Sequence, residues 1–425
     1  MRSDLFSVVA IAIIVSNCAA KSVIPVGAAP LTPNNGRKKT YKPWERSVDP
    51  DPTPSVEELE LTASDQDIDD AIDHVVAYHG GIIIRRFRPE RSWLWRRFRG
   101  TVWSHSLDDA LFNMALSCLI CCGINKATEG SWALNMAAPD PSYTIIARLK
   151  SFNQVWRLLM GLTNFLLTFF VGQAYSFWRE FYKVGRSIQG KINDISLLLA
   201  TNVARNKDGT YTKESRSVLN DVGGYLRAFH ILMWASNARR FRVLLTDRGM
   251  KRLAERNVIT YEQKELLDRA NLPLTQKHSV YLEWAMVRCR NAIKEGTLGS
   301  ALEKTIADKF CTLRGDSGSV GGMCEARMPL AYAHFVQVLV DTFLLCAPFA
   351  QYPEMGAFSI LSMGFLTVFF SGLLDLAKVF LDPLDNEDYC QGSVYLDVGV
   401  LIRESNAGTI RWMNGAESIP TSSFS

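Results

Sequence analysis

Two stretches of twenty residues without a charged side chain, Leu158–Phe177 and Met355–Leu374, limit what this chain can become. At 1.5 Å per residue each would form a helix ~30 Å long, the thickness of a bilayer's hydrocarbon core. A third stretch, Met328–Ala350, is interrupted only by His334 and Asp341. Ala110–Gly123 has fourteen residues and would fit a short span or a buried helix. Val222–Ser236 is apolar too, but Arg227 and His230 interrupt it, so it is predicted as a buried soluble helix.

Charge placement settles the count at four. With four spans both chain ends, the Arg85–Arg99 cluster and the long Trp178–Arg327 segment share one side. From Trp178 to Arg256 there are sixteen basic residues against seven acids. The other side receives only Ile124–Arg157 and Gln351–Glu354. Basic residues collect on the cytoplasmic flanks of membrane helices; a fifth span at Val222–Ser236 would move Arg239, Arg240 and Arg242 to the wrong side. The net charge of +4 is too mild to argue for nucleic acid as partner. The expected fold class is an all-α integral membrane protein with four transmembrane helices and a large helical cytosolic or stromal region.

Residues 1–20 read as a secretory signal peptide, with Arg2, an apolar core from Val8 to Val15, and small residues at Cys18-Ala19-Ala20. From Lys21 to Ser47 six basic residues stand against Glu45 alone, as in a plastid transit peptide or a basic linker. Ser47 to Ile84 reverses the sign, with ten acids and no Lys or Arg. It is predicted as a solvated linker running into a helix around Asp67–Tyr78. Seven arginines then fall between Arg85 and Arg99, interleaved with Phe87, Trp93, Trp95 and Phe98, a composition suited to headgroup depth. The chain thus divides into 1–20, a transit-like and acidic segment over 21–84, a membrane domain over 85–389, and a tail over 390–425. The spans are expected at 108–124, 155–178, 328–350 and 355–376.

Within the Trp178–Arg327 segment, Tyr182–Ala204, Gln263–Arg269 and Tyr281–Lys294 carry apolar residues at helical spacing. Gly315–Gly322, rich in Gly and Ser, is expected to be a loop before the third span. The sequence around it, Arg314-Gly-Asp-Ser-Gly-Ser319, has the wording of a serine-protease nucleophile loop but lacks a scaffold presenting a His–Asp pair. Cys118 and Cys121 form a CxxC without a second ligand pair, and read as apolar packing rather than zinc ligands.

Two further sets carry chemistry. His334, Gln337 and Asp341 lie at i, i+3 and i+7 of the third span, hence on one face. Such polar groups inside a bilayer line a water path or bond a neighbouring helix. After the fourth span, Asp382, Asp385 and Asp388 bracket a Pro turn and offer oxygens to a hard cation such as Ca²⁺, or form an acidic cap.

Several stretches together resemble the bestrophin family of pentameric anion channels. They are Arg97-Phe-Arg-Gly-Thr-Val-Trp103 ahead of the first span, Asn164-Phe-Leu-Leu-Thr-Phe-Phe-Val171 on the second, Met328-Pro-Leu-Ala-Tyr332 opening the third, and Leu374–Tyr389 closing the fourth. The wording of Gly190–Ile195 and Leu381–Tyr389 is most similar to algal and plastid members. The resemblance implies a homopentamer passing chloride or bicarbonate, with membrane lipids as further partners, no catalytic residue and no organic cofactor. It implies a pore neck at Arg157, Gly161 and Phe165, or, one position on, at Leu158 and Leu162. It places a cytosolic constriction at Leu302 and a Ca²⁺ clasp at Val379, Asp382, Asp385 and Asp388. Arg157 and Gly161 depart from the bulky apolar neck of the family, and the acidic run is shorter than in animal members. A thylakoid or plastid-envelope membrane is the implied location, with endomembrane or plasma membrane as the others. A non-conducting membrane scaffold and an integral-membrane enzyme using the His334–Asp341 stripe are the competing functions.

Overall fold

The computed structural model describes residues 54–76, 81–84, 90–92, 96, 102–387 and 395–417, with side chains from 106 in the third helix. The signal peptide, the basic stretch, most of the Arg-aromatic lead-in, Asp388 and residues 418–425 lie outside the described residues. In chain order the helices are α1 (Val56–Thr62), α2 (Asp65–Val76), α3 (Val102–Glu129), α4 (Thr144–Asn202), α5 (Lys213–Asn237), α6 (Asp247–Glu255), α7 (Tyr261–Arg269), α8 (Lys277–Lys294), α9 (Glu303–Glu325), α10 (Leu330–Met355), α11 (Phe358–Leu381) and α12 (Val398–Glu417). Short 3-10 turns occupy Arg239–Leu245, Leu274–Gln276 and Ser300–Leu302. Among the described residues extended pairing is confined to two isolated bridges, Val203 with Leu298 and Arg205 with Tyr211.

The chain forms two compact units. One comprises Phe87–Trp178 and Arg327–Leu381; the other comprises Arg179–Ala326 with the described parts of Ala29–Arg86 and Asp382–Ser425. Helix α4, 59 residues long, gives its first part to one unit and its remainder to the other.

Among the described residues four helices are long and apolar enough to cross a membrane: Ser106–Glu129 of α3, α4, α10 and α11. All backbone polar groups in a bilayer must be satisfied within the helix, which is why uncharged runs of this length fold this way. In the first unit, Trp156, Leu167, Phe170 and Ala174 of α4 pack against Val336, Val340, Phe343 and Ala347 of α10 and against Met363, Phe370 and Leu374 of α11. Trp156 stacks on Phe343 with ring centroids 5.0 Å apart and donates its indole N–H to the Phe343 carbonyl at 3.0 Å. A second cluster joins Leu116, Ile120 and Ile124 of α3 to Ile146, Leu149, Phe349 and Tyr352. Cys121 is fully buried there, 3.5 Å from Ser359 Oγ, in keeping with a packing role for the CxxC. Helix α10 runs beyond the expected Ala350 to Met355, through Pro348 and Pro353.

The turn between α10 and α11 depends on Gly356. Its φ is +55°, and a Cβ there would collide with the Ala137 carbonyl oxygen. Ala357 N–H then donates to Asn135 O at 3.1 Å, fixing the turn to the segment that follows α3.

The second unit is built around α5, whose buried face includes Val218, Leu226, Phe229, Met233 and Trp234. Thr212 caps α5, Thr246 caps α6, and Thr260 with Gln263 forms a reciprocal capping box on α7. Val222–Ser236 lies within α5 and is largely buried, and α5 is not among the described helices long and apolar enough to cross a membrane. Two expectations change. Gly315–Gly322 is not a loop but lies inside α9, because Ile306, Phe310, Leu313, Ser317 and Val320 form a buried stripe at helical spacing that carries the helix through the glycines. The acidic stretch is not solvated throughout: over 54–76 it folds as α1 and α2, capped at Ser55 by a box with Glu58. Ile68, Ala71, Ile72 and Val75 of α2 are buried, and Asp69 takes both Arg252 Nε and Nη2 of α6 at 2.9 and 2.7 Å.

Candidate functional site

Helix α4 packs one side and leaves the other open. Trp156, Thr163, Leu167, Phe170 and Ala174 are buried. Phe165, nine residues past Trp156, falls about 180° around the helix from it and is 70 % exposed. Leu158, Gly161, Leu162, Thr168, Phe169 and Gly172 are exposed beside it. This face is apolar or small, with no charge between Leu158 and Phe177. Leu158 stands about 20° from the direction of Phe165, while Arg157 stands about 80° away. Of the two neck registers, Leu158 shares the centre of the open face with Phe165 and Arg157 marks its shoulder.

Arg157 turns to α10. Its Nη2 lies 3.1 Å from Glu354 Oε2 and 3.5 Å from Oε1, and Asn153 Nδ2 donates to Oε1 at 2.6 Å. Asn153 is buried, so the carboxylate is held on the α4 side of the turn that Gly356 shapes. Nothing in local sequence pairs Arg157 with a residue some two hundred positions away, and sequence reasoning missed Glu354.

The polar stripe of α10 is resolved into parts. Gln337 Nε2 donates to both oxygens of Asp341 at 2.9 Å, while His334 is exposed. On α11, Lys378 Nζ lies 3.3 Å from Asp375 Oδ1. Asp109 and Lys378 lie just outside the apolar runs Ala110–Gly123 and Met355–Leu374, and sequence reasoning did not single them out.

A family model described as bestrophin, RFP-TM, chloride channel matches residues 93–393. This chain belongs to the bestrophin family. Its fold is similar to that of a bacterial bestrophin homologue from Klebsiella pneumoniae, at 16% identity and a TM-score of 0.51, with 72% of this chain and 97% of that one covered. A point variant of the same homologue gives 16% identity, a TM-score of 0.53, and coverage of 72% and 98%. No curated protein matches the chain.

The other candidate residues have these surroundings. Leu302, the candidate constriction, is half-buried and ends the 3-10 turn Ser300–Leu302, its N–H bonded to Gly299 O at 3.1 Å. In the candidate Ca²⁺ clasp, Asp382 is buried and its two oxygens accept from the N–H groups of Asn386 and Glu387 at 3.0 and 2.9 Å. Its carboxylate closes its own loop, as Asx side chains do in turns. Asp385 takes a positive φ of 56° in that loop, and Asp388 lies outside the described residues. Among the described residues no three His, Cys, Asp or Glu side chains converge as a metal site. With both oxygens engaged by N–H groups of its own loop, Asp382 has only its remaining lone pairs to offer a cation. The protease-like wording sits mid-helix in α9, where Asp316 pairs with Lys191 at 2.7 Å and Ser317 is buried.

Proposed function

We propose that this bestrophin-family protein is an anion channel that passes chloride, and bicarbonate by the same route, through an axis shared by five copies of the chain. The observation that carries the reading is the open, uncharged face of α4 centred on Phe165, left uncovered in a bundle whose other α4 face is fully packed. Five such faces around an axis make a narrow apolar passage. Apolar constrictions gate by excluding water until they widen, and the edges of aromatic rings carry partial positive charge that an anion can meet. The neck proposed here is Phe165 with Leu158 and Gly161, flanked by Arg157; Leu302 is proposed as the second constriction.

Membrane targeting by residues 1–20 and a plastid destination belong to the same proposal, supported by composition alone. Calcium control at Asp382, Asp385 and Asp388 rests on the resemblance.

The test is reconstitution of the purified protein in liposomes of defined lipid. An anion channel releases trapped chloride at a rate that rises with protein and reports a chloride-driven reversal potential in planar bilayers. A scaffold or a membrane enzyme releases none, and that result overturns the reading. Crosslinking of the detergent-solubilised protein tests the stoichiometry, five being expected.

A further inference from the structure

The Arg157–Glu354 pair sits where an ion pair contributes little to stability. Its side chains are 62 % and 46 % exposed, and exposed pairs gain little against solvent and side-chain entropy. Yet the carboxylate is held with care. Asn153, buried and one helical turn before Arg157, fixes one oxygen at 2.6 Å, and Arg157 reaches both. The base of the arrangement is rigid on each side. The Trp156–Phe343 stack binds α4 to α10, and Gly356 sets the turn immediately after Glu354.

An exposed guanidinium on the shoulder of the open α4 face raises the local anion concentration, because surface potentials accumulate counter-ions at a mouth. A carboxylate 3 Å away cancels most of that potential beyond a few ångströms. We infer that Glu354 is a specificity-determining residue: it offsets Arg157 and sets how strongly this end of the passage prefers anions over cations. The inference rests on the anion-channel reading and deepens it. It predicts that the anion preference of the natural protein is moderate at this end, and that the pair is a control point in which the acid, rather than the base, limits selectivity.

The experiment is a reversal-potential measurement in planar bilayers under a potassium chloride gradient, at low and at high ionic strength. Glu354→Gln keeps the size of the side chain and an acceptor for Asn153 but removes the charge. It should raise the chloride-to-potassium permeability ratio by about twofold or more at low salt, with the gain shrinking at high salt as screening shortens the field. Arg157→Gln should move the ratio the other way, and the double variant should return close to the natural value. Glu354→Asp, which keeps the charge, should leave the ratio near that of the natural protein. An unchanged ratio in Glu354→Gln at low salt, with the natural protein conducting chloride, overturns the inference while the channel reading stands. Absence of chloride current in the natural protein overturns the reading itself. Should Glu354→Gln fail to assemble, the Arg157→Gln shift decides: no shift at low salt means that the pair does not face the ion path.

Discussion

Trp234 donates its indole N–H to His230 Nε2 at 2.9 Å, and the other ring nitrogen of His230 lies 2.7 Å from Ser405 Oγ. Because Nε2 accepts, Nδ1 carries the proton and donates to Ser405, whose hydroxyl passes on to the Ile402 carbonyl at 2.9 Å. The chain of donors ties α5 to α12 through a histidine that is fully buried and neutral.

Burial pushes the His230 imidazole down to about 3, and burial also lowers His278, against an opposing hydrogen bond that its ring donates to the Thr275 backbone. A histidine depressed in the folded state takes up its proton first in the unfolded chain, so stability is complete above pH 6.5 and falls as pH drops below it. For His230 the fall continues until about pH 3, at roughly 1.4 kcal/mol per pH unit. Melting of the detergent-solubilised protein should therefore decline from pH 7 to pH 5, and His230→Gln should flatten part of that slope. An equal slope in the variant would show that His230 is not buried neutral.

Phe165 and Phe170 are five residues apart on α4 and should answer oppositely to the same substitution. Phe170 is 1 % exposed and packs among Tyr332 and the α10–α11 side chains. Phe170→Ala should cost about 3–5 kcal/mol of packing and lower the yield of folded protein. Phe165→Ala removes a side chain that is 70 % exposed within its own chain, so folded yield should hold while resting chloride leak rises. Flux assays on matched amounts of folded protein separate the two.

The acidic arm of α1 and α2 is held on α6 by charge as well as by its buried stripe. Arg252 lies 2.7 Å and Arg256 3.4 Å from Asp69, and hydrogen bonding to Arg252 outweighs desolvation to hold the Asp69 carboxyl below its usual range. Asp69→Asn should loosen the arm, which keeps its buried Ile68, Ile72 and Val75 and the weaker pairs of Asp65 with Arg248 and Asp73 with Arg256. Limited proteolysis should then cut within 54–76 several-fold faster than in the natural protein, and 0.5 M salt should narrow the difference by screening the natural pairs.

Gly356→Ala should be poorly tolerated. The added Cβ meets backbone rather than a flexible side chain, and the positive φ disfavours alanine independently. A loss of about 1–3 kcal/mol is expected from the backbone strain alone, read as a lower melting temperature. Unaltered melting would mean that the α10–α11 turn has a second conformation.

The membrane helices were legible because an uncharged run of twenty residues has few other fates. The buried helix α5 was legible from Arg227 and His230, which rule out a span without ruling out a core. What escaped the sequence were outcomes decided by partners far along the chain. Glycine counting suggested a loop at Gly315–Gly322, whereas the stripe from Ile306 to Val320 had a surface to bury against and won. The acids of 54–76 looked solvated because α6, which supplies their arginines, lies about 180 residues later. For the candidate site, Phe165 was singled out through the family resemblance, and its exposure follows from the packed stripe Trp156–Ala174. Glu354 left no local trace, since an acid at the end of an apolar run is an ordinary helix ending.

Helix α4 has a consequence for how such a chain can change over time. From Thr144 to Asn202 it has no break in its ladder, so it behaves as a gauge of fixed length whose two ends are read by different surroundings. Inserting one residue near Gly190 would turn every later side chain of the helix by about 100° and advance it ~1.5 Å. Ile192, Ile195 and Leu199 would then leave their buried positions while Ile188 kept its own. Single insertions and deletions within this helix should be nearly forbidden. A tolerated length change there would have to arrive as a multiple close to whole turns, with compensating loops elsewhere.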